Sequence, residues 1–446
     1  MEQQVAPVTE SVTEAQAMDA PEQDAPRKDS GWKRKAAIFL SSQLITLTGS
    51  LVVAYAVIWY ITLETSSGTM MMISVLCSCL PQVLVMPVAG VWADRYNRKL
   101  LIIAADLFIA AATLILAVLW LSGYQQLWFV FAVMCVRSLA GGIQSPAVNA
   151  LIPQIVPTEQ LTRINALFVT INNLLTLLAP ALGGVLLAVT GFASALFFDV
   201  GTAVIGVGVL CLLHVERPLK PEGAAQGSLW AEAREGLSYI RGTDWLRMLL
   251  LFYAVGFFLV TPASSLTPIF IEREFGPEVW RLSANEIVWS LGAVIGGVAV
   301  ASWGGFRNRL LSMAVACLAF GVTFVLMGAA ASFWFYLLMM GIAGLFLPLF
   351  STAEMTLIQE KTDEQMMGRV FSVINLVAVL AMPLAMLIFG PLADVIDIRY
   401  ILYGSGGLLA LLSFAMIFNK RVLALDADGR PDMPKIKPKA SDNITE

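Results

Sequence analysis

The stretch GVWADRYNRKLL, Gly90–Leu101, places four charged residues, Asp94, Arg95, Arg98 and Lys99, within six positions of a chain that is otherwise apolar around them. The chain has 446 residues, 58% of them hydrophobic and 13% charged, with a mean hydropathy of +0.77. Soluble domains carry roughly 25% charged residues. A chain this poor in charge has lipid as its solvent, and its length is that of about a dozen spans of roughly 20 residues plus loops.

Apolar spans run at 36–62, 70–91, 100–121, 127–150, 165–189, 194–214, 246–271, 283–303, 310–330, 334–356, 369–390 and 400–418. Each crosses a hydrocarbon layer of ~30 Å as a helix. Helices are required because lipid offers no partner to a free N–H or C=O. The ~10-residue alternating segments of a β-barrel are not seen. The fold class is thus an all-α membrane protein with twelve transmembrane helices.

With twelve crossings both ends lie on one face. Of the 28 Lys and Arg, all but Arg137, Arg273, Arg281 and Arg399 fall on that face or its tails. The positive-inside rule then places both termini in the cytoplasm, in the cytoplasmic (inner) membrane. Gly90–Leu101 becomes a short cytoplasmic loop between spans 2 and 3. Residues 1–35 are polar and acidic, without the apolar core of a signal peptide, and read as a disordered cytoplasmic tail; 421–446 read likewise.

Some chemistries are excluded by what the chain lacks. Its five cysteines all lie inside expected spans and its one histidine, His214, at a span end, so no metal site and no cofactor are expected. There is no phosphate-binding G-x-x-x-x-G-K-[ST] loop. Neither an enzyme nor a nucleic-acid partner is indicated.

The chain also repeats itself. Trp92, Asn97 and Arg98 match Trp303, Asn308 and Arg309 at an offset of 211, and Gln154, Glu159 and Gln160 match Gln359, Glu364 and Gln365 at 205. Both pairs fall in equivalent loops of two six-span halves, 36–214 and 246–420. Parallel halves related by an axis along the membrane normal are the architecture of rocking transporters. They are joined by a linker, 215–245, in which Trp230, Ala233, Leu237 and Ile240 recur at helical spacing, as in an amphipathic helix on the membrane surface.

These residues resemble the major facilitator superfamily. Gly90, Asp94, Arg95, Arg98 and Lys99 match its loop G-x-x-x-D-R-x-x-R-[RK], with Asn97 where the family has Gly. Arg137 and Gly141 match R-x-x-x-G in span 4. Pro180, Gly183 and Gly184 match the antiporter motif G-P-x-x-G-G in span 5, with Ala179 for its first Gly. EGLSYIRGTDWLRMLL (Glu235–Leu250), EIVWSLGAVIGG (Glu286–Gly297) and GRVFSVIN (Gly368–Asn375) are similar to the drug:proton antiporter branch that includes macrolide efflux proteins.

The resemblance implies a major facilitator fold of two pseudo-symmetric six-helix halves, working as a monomer with lipophilic small-molecule substrate, protons and membrane lipids as its partners. It implies that the loop clasps the start of span 11, with Asp94 reaching that helix and Arg369 and with Arg95 and Arg98 bracing it. From the residues alone, Asp94 could equally favour the positive end of span 3. Charges inside spans cost ~2.5–3.5 kcal/mol each on insertion scales. Arg137 is expected to pair with Asp106 of span 3, either as structure or as a device tuning protonation. Asp106, then Glu354, then Asp199 are the proton-carrier candidates, and span 1 offers no acid. In this fold spans 1, 4, 7 and 10 line the cavity. They offer Gln43, Thr46, Tyr55, Gln144, Asn149, Thr261, Ser264, Ser265 and Phe350, and span 5 adds Asn172 and Asn173. A mostly apolar cavity suits lipophilic or amphipathic cargo. The expected function is proton-coupled efflux, with macrolide antibiotics as one cargo. The alternatives are export of a native metabolite such as a siderophore, a lysophospholipid flippase, or a non-transporting membrane sensor or scaffold.

Overall fold

A computed structural model of the protein describes residues 31–215 and 237–418, with the side chains of Asp94, Asp244, Glu364 and Gln365 outside that description. Residues 1–30 of the first expected tail, all of the second, and Trp230 and Ala233 of the linker lie outside it; residues 32–35, expected in the tail, are instead the first turn of span 1. The spans are helices: 1, Trp32–Thr65; 2, Gly68–Arg95; 3, Arg98–Leu121; 4, Leu127–Ile155; 5, Leu161–Thr190; 6, Phe192–Cys211; 7, Asp244–Ser265 continued by Thr267–Phe275; 8, Val279–Trp303; 9, Arg309–Gly328; 10, Phe333–Lys361; 11, Glu364–Val395; 12, Ile398–Phe418. All twelve are long and apolar enough to cross a membrane. Leu84, Ile115, Val185 and Leu408 are exposed, as side chains solvated by lipid must be.

The break in span 7 has a local cause. Pro268 has no N–H to offer the carbonyl of Ser264, so the helix ends at Ser265 and restarts at Thr267.

Packing reproduces the internal repeat. Span 1 packs on spans 5 and 6, span 4 on 2 and 3, and span 3 on 6. Each contact recurs six spans later: 7 on 11 and 12, 10 on 8 and 9, and 9 on 12. The halves meet through spans 2 and 11 and through spans 5 and 8, two contacts that a twofold axis exchanges.

The repeated residues are structural equivalents. Asn97 Oδ1 accepts from Leu100 N–H, and Asn308 Oδ1 from Leu311 N–H, so each caps the helix that follows it. Asn97 is extended (φ −66°), so it replaces the family's Gly as a helix cap and not as a left-handed residue. Arg98 donates to the carbonyl of Ala93 at 3.1 Å, and Arg309 to that of Gly304 at 3.3 Å, five residues back in both cases.

We call the face that bears the start of span 1 and the end of span 12 the terminal face, and the opposite one the far face. Residues 237–242 are helical and lie at the terminal face. Ile240 is buried in the core of the C-terminal half and Leu237 packs beside it, so these two face protein and not the membrane surface. The Tyr239 hydroxyl donates to Asp363 at 3.2 Å; burial first, and the Asp363 charge next, push its pKa up and keep it a donor.

Candidate functional site

Spans 3 and 4 run antiparallel, and their polar residues form two rungs. Arg137 and Thr113 make one: Arg137 Nη1 donates to Thr113 Oγ1 at 2.7 Å. Asp106 and Gln144 make the other: Gln144 Nε2 donates to Asp106 Oδ1 at 2.7 Å. Each residue of the second rung lies seven positions, two helical turns or about 10 Å, from its neighbour in the first. The expected Arg137–Asp106 pair is therefore not formed; the antiparallel register sets them on different rungs.

Arg137 Nη1 pairs instead with the carboxylate of Asp199 on span 6. The Thr113 hydroxyl lies 3.2 Å from the same carboxylate oxygen. Span 1 completes the cluster, with Ser50 Oγ donating to Asp199 Oδ1 and the Ser50 carbonyl accepting from Arg137 Nη2, both at 3.4 Å. Asp199 is 1% exposed, so its charge is balanced in place by one guanidinium. Asp106 is also buried, but its partner is a neutral amide, and its Oδ2 has no hydrogen-bond partner among the described residues.

Arg137 and Thr113 wall an apolar cavity of about 170 Å³ in the far half of the N-terminal bundle. Val53, Val57, Leu116, Val130, Met134 and Leu196 supply most of the rest of its lining. Aliphatic residues of this kind carry no signal in the sequence that would mark such a cavity.

In the C-terminal half Tyr253 of span 7 lies within electrostatic reach of Glu354 of span 10, and the Tyr253 ring stacks on Phe350 with centroids 6.2 Å apart. Glu286 is a carboxylate that the sequence placed at the start of span 8. The helix begins at Val279, so Glu286 lies two turns inside, bonded to Asn285 Nδ2 at 3.3 Å and within electrostatic reach of Tyr55 and Tyr336.

The cavity candidates divide. Gln43, Thr46, Thr261, Ser265 and Phe350 are buried, with Thr46 packed on Gly206 of span 6 and Thr261 Oγ1 donating to the Phe257 carbonyl. Asn149, Asn173 and Ser264 are exposed, and Tyr55, Gln144 and Asn172 are partly so. The motif in span 5 lies where the halves touch. Ser283 of span 8 donates to the Pro180 carbonyl at 3.2 Å, a Cβ on Gly184 would collide with Ser283 Oγ, and one on Gly183 would meet the Val52 carbonyl at 3.1 Å. Trp59, Met71 and Val75, near the far ends of spans 1 and 2, share the buried core of the C-terminal half.

In the loop between spans 2 and 3, the Asp94 side chain lies outside the described residues. Gly90 is within span 2, and Arg95 ends that helix, exposed. Arg98 Nη1 donates to the Ala150 carbonyl of span 4 at 2.9 Å, besides its bond to Ala93. Lys99 Nζ donates to the carbonyls of Cys211 and Leu213 at 2.9 and 2.7 Å, where a cation complements the C-terminal end of span 6. Both thus anchor the loop to its own half. Arg369 Nη1 contacts Met366 Sδ at 3.2 Å on its own helix. Among the described residues no three His, Cys, Asp or Glu side chains gather as a metal site would need.

Comparison with known proteins agrees with this architecture. The chain is 27% identical over 401 residues to macrolide efflux protein A of Streptococcus pyogenes, covering 90% of this chain and 99% of that one. It is 28% identical to macrolide efflux protein A of Enterococcus faecalis over 322 residues, 72% of this chain and 100% of that one. Its fold matches the crystal structure of a mutant form of the nucleoside transporter NupG with a TM-score of 0.67 at 13% identity, covering 86% of this chain and 98% of that one. The family model of the Major Facilitator Superfamily matches residues 39–386, and the chain belongs to that superfamily.

Proposed function

We propose that the protein exports lipophilic or amphipathic small molecules, macrolides among them, in exchange for protons across the cytoplasmic membrane by alternating access. The terminal face is taken as cytoplasmic because it carries the basic residues. The export reading is supported by the similarity to macrolide efflux proteins along nearly their whole length.

Proton coupling rests on one observation: Asp106 is a buried carboxyl held by a neutral amide, with its second oxygen unpartnered among the described residues. An ionised group in such surroundings needs a counter-charge or a proton. Asp199 has its counter-charge in Arg137, which leaves Asp106 as the exchanging site of the N-terminal half, with Glu354 as its counterpart in the other. Asn149, Asn173 and Tyr55 then supply polar contacts to cargo between the halves.

The test is efflux from cells stripped of their own pumps and loaded with labelled macrolides and lipophilic dyes. Export that needs this protein and stops with a protonophore supports the reading. Export that continues unchanged in de-energised, ATP-replete cells would refute proton coupling. No export from well-expressed protein would refute drug efflux.

A further inference from the structure

Two helices that pack against each other across the halves carry the same five-residue pattern at their C-terminal ends. Span 2 closes with GVWAD, Gly90–Asp94, and span 11 with GPLAD, Gly390–Asp394, an offset of 300. The two run antiparallel, so Asp94 lies at the terminal face and Asp394 at the far face. Asp394 occupies the N-terminus of span 2. Its Oδ1 accepts from Gly68 N–H at 2.6 Å, and its Oδ2 from Thr69 N–H and Ser67 Oγ, both at 2.9 Å. The first N–H groups of a helix have no partner within it and form its positive end. Span 2 thus has its first two N–H groups satisfied by a carboxylate from the other half of the molecule.

The neighbouring contacts converge on the same turn. Arg273 Nη1, at the end of span 7, donates to the Ala393 carbonyl at 2.7 Å; its Nη2 donates to the Ser66 carbonyl and lies 3.4 Å from Asp394 Oδ1. Glu272 accepts from Ser66 Oγ at 2.5 Å. Ser66 is left-handed (φ 46°), which turns the chain so that Ser66–Thr69 presents its polar groups to the other half. The backbones touch beneath: a Cβ on Gly68 would collide with the Gly390 carbonyl, and one on Gly390 would meet Met72 Cβ at 2.6 Å.

We propose that Asp394, gripping the N-terminus of span 2 with Arg273 in support, is a latch that holds the far face shut and must release for cargo to leave there. The proposal rests on the alternating-access reading above for its place in the cycle. Its physical basis is that spans 2 and 11 separate at that end only if these charge-assisted bonds break together. The Gly68–Gly390 contact makes the closed state a close-packed one that a side chain at either position cannot enter. Asp394 is a positioning residue and need not touch cargo.

The experiment reads the gate and not transport. Spin-label pairs are placed at Tyr124 and Trp334 on the far face and at Tyr96 and Arg307 on the terminal face, in a chain whose five cysteines are replaced. Distances are measured by pulsed electron resonance in nanodiscs. Asp394→Asn keeps size and removes charge; Gly390→Val leaves Asp394 in place and wedges the backbones apart. Both are expected to lengthen the far-face distance and shorten the terminal-face one, raising the open-to-closed ratio at the far face by roughly ten- to a hundredfold. A folded Asp394→Asn protein with unchanged distances overturns the latch. Should that variant not fold, Arg273→Lys and Gly390→Val carry the same test, and unchanged distances in those overturn it equally. Shifted distances in a protein that exports no drug would leave the latch standing and remove only the efflux reading.

Discussion

Asp106 and Gln144 face each other across spans 3 and 4, two turns from the Arg137–Thr113 pair, and this spacing divides the buried charge of the N-terminal half into two sites. One is a closed ion pair, Arg137 with Asp199. The other is a carboxyl with an amide and no cation. An ion pair that stays closed is structure; a lone carboxyl is where a proton can come and go. The two need different experiments.

Asp106→Asn should abolish protonophore-sensitive efflux while leaving membrane insertion and thermal stability near wild type, because the amide keeps a bond to Gln144 and removes only the exchangeable proton. The check is efflux in inverted vesicles with an imposed pH gradient, beside a melting curve in detergent. Full gradient-driven export by the variant would move the proton site to Glu354.

The ion pair should behave in the opposite way. Arg137→Leu leaves Asp199 charged and 1% exposed, and Asp199→Leu leaves the Arg137 guanidinium, 15% exposed, without its counter-charge; each should cost about 3–5 kcal/mol of stability. The double variant removes both charges and should recover most of that loss. Thermal unfolding of the three proteins in one detergent measures it. Single and double variants that melt at wild-type temperature would show the pair to be structurally idle.

Much of this is legible in the sequence. Hydropathy places twelve spans because in lipid an apolar run of that length has no other conformation open to it. The matches of Asn97 with Asn308 and of Arg98 with Arg309 prove to be shared caps and shared five-residue-back hydrogen bonds. What is not legible depends on registers between helices. Nothing in span 3 says that Asp106 faces Gln144 and not Arg137; only the antiparallel alignment decides it. Glu286 is misplaced because an error of four residues in a helix start moves a carboxylate one turn. The role of Asp394 is hidden because a short polar motif at a span end has no partner until spans 2 and 11 are set side by side.

The caps give a direct test of the pseudo-symmetry. Asn97→Ala and Asn308→Ala each remove the side-chain oxygen that accepts from the third residue on, and each should cost about 1 kcal/mol. The costs should add, since the two sites lie in different halves. Asp in place of either Asn should restore stability, because a carboxylate caps a helix start as well as an amide does. A cost at one site and none at the other would mean that the two loops are alike in sequence only.

The contact between Gly184 and Ser283 tests whether the span 5 motif acts by bending a helix or by letting the halves meet. A Cβ on Gly184 would run into Ser283 Oγ, so Gly184→Ala should hold spans 5 and 8 apart and lower transport at least tenfold with little change in expression. Ser283→Gly removes the obstructing hydroxymethyl group. Adding it to Gly184→Ala should restore transport if the clash is what matters, although Ser283 also gives up its bond to the Pro180 carbonyl. If the motif served only to bend span 5, the second substitution, on another helix, would restore nothing. Efflux assays of the two single variants and the double variant, normalised to protein in the membrane, separate the two mechanisms.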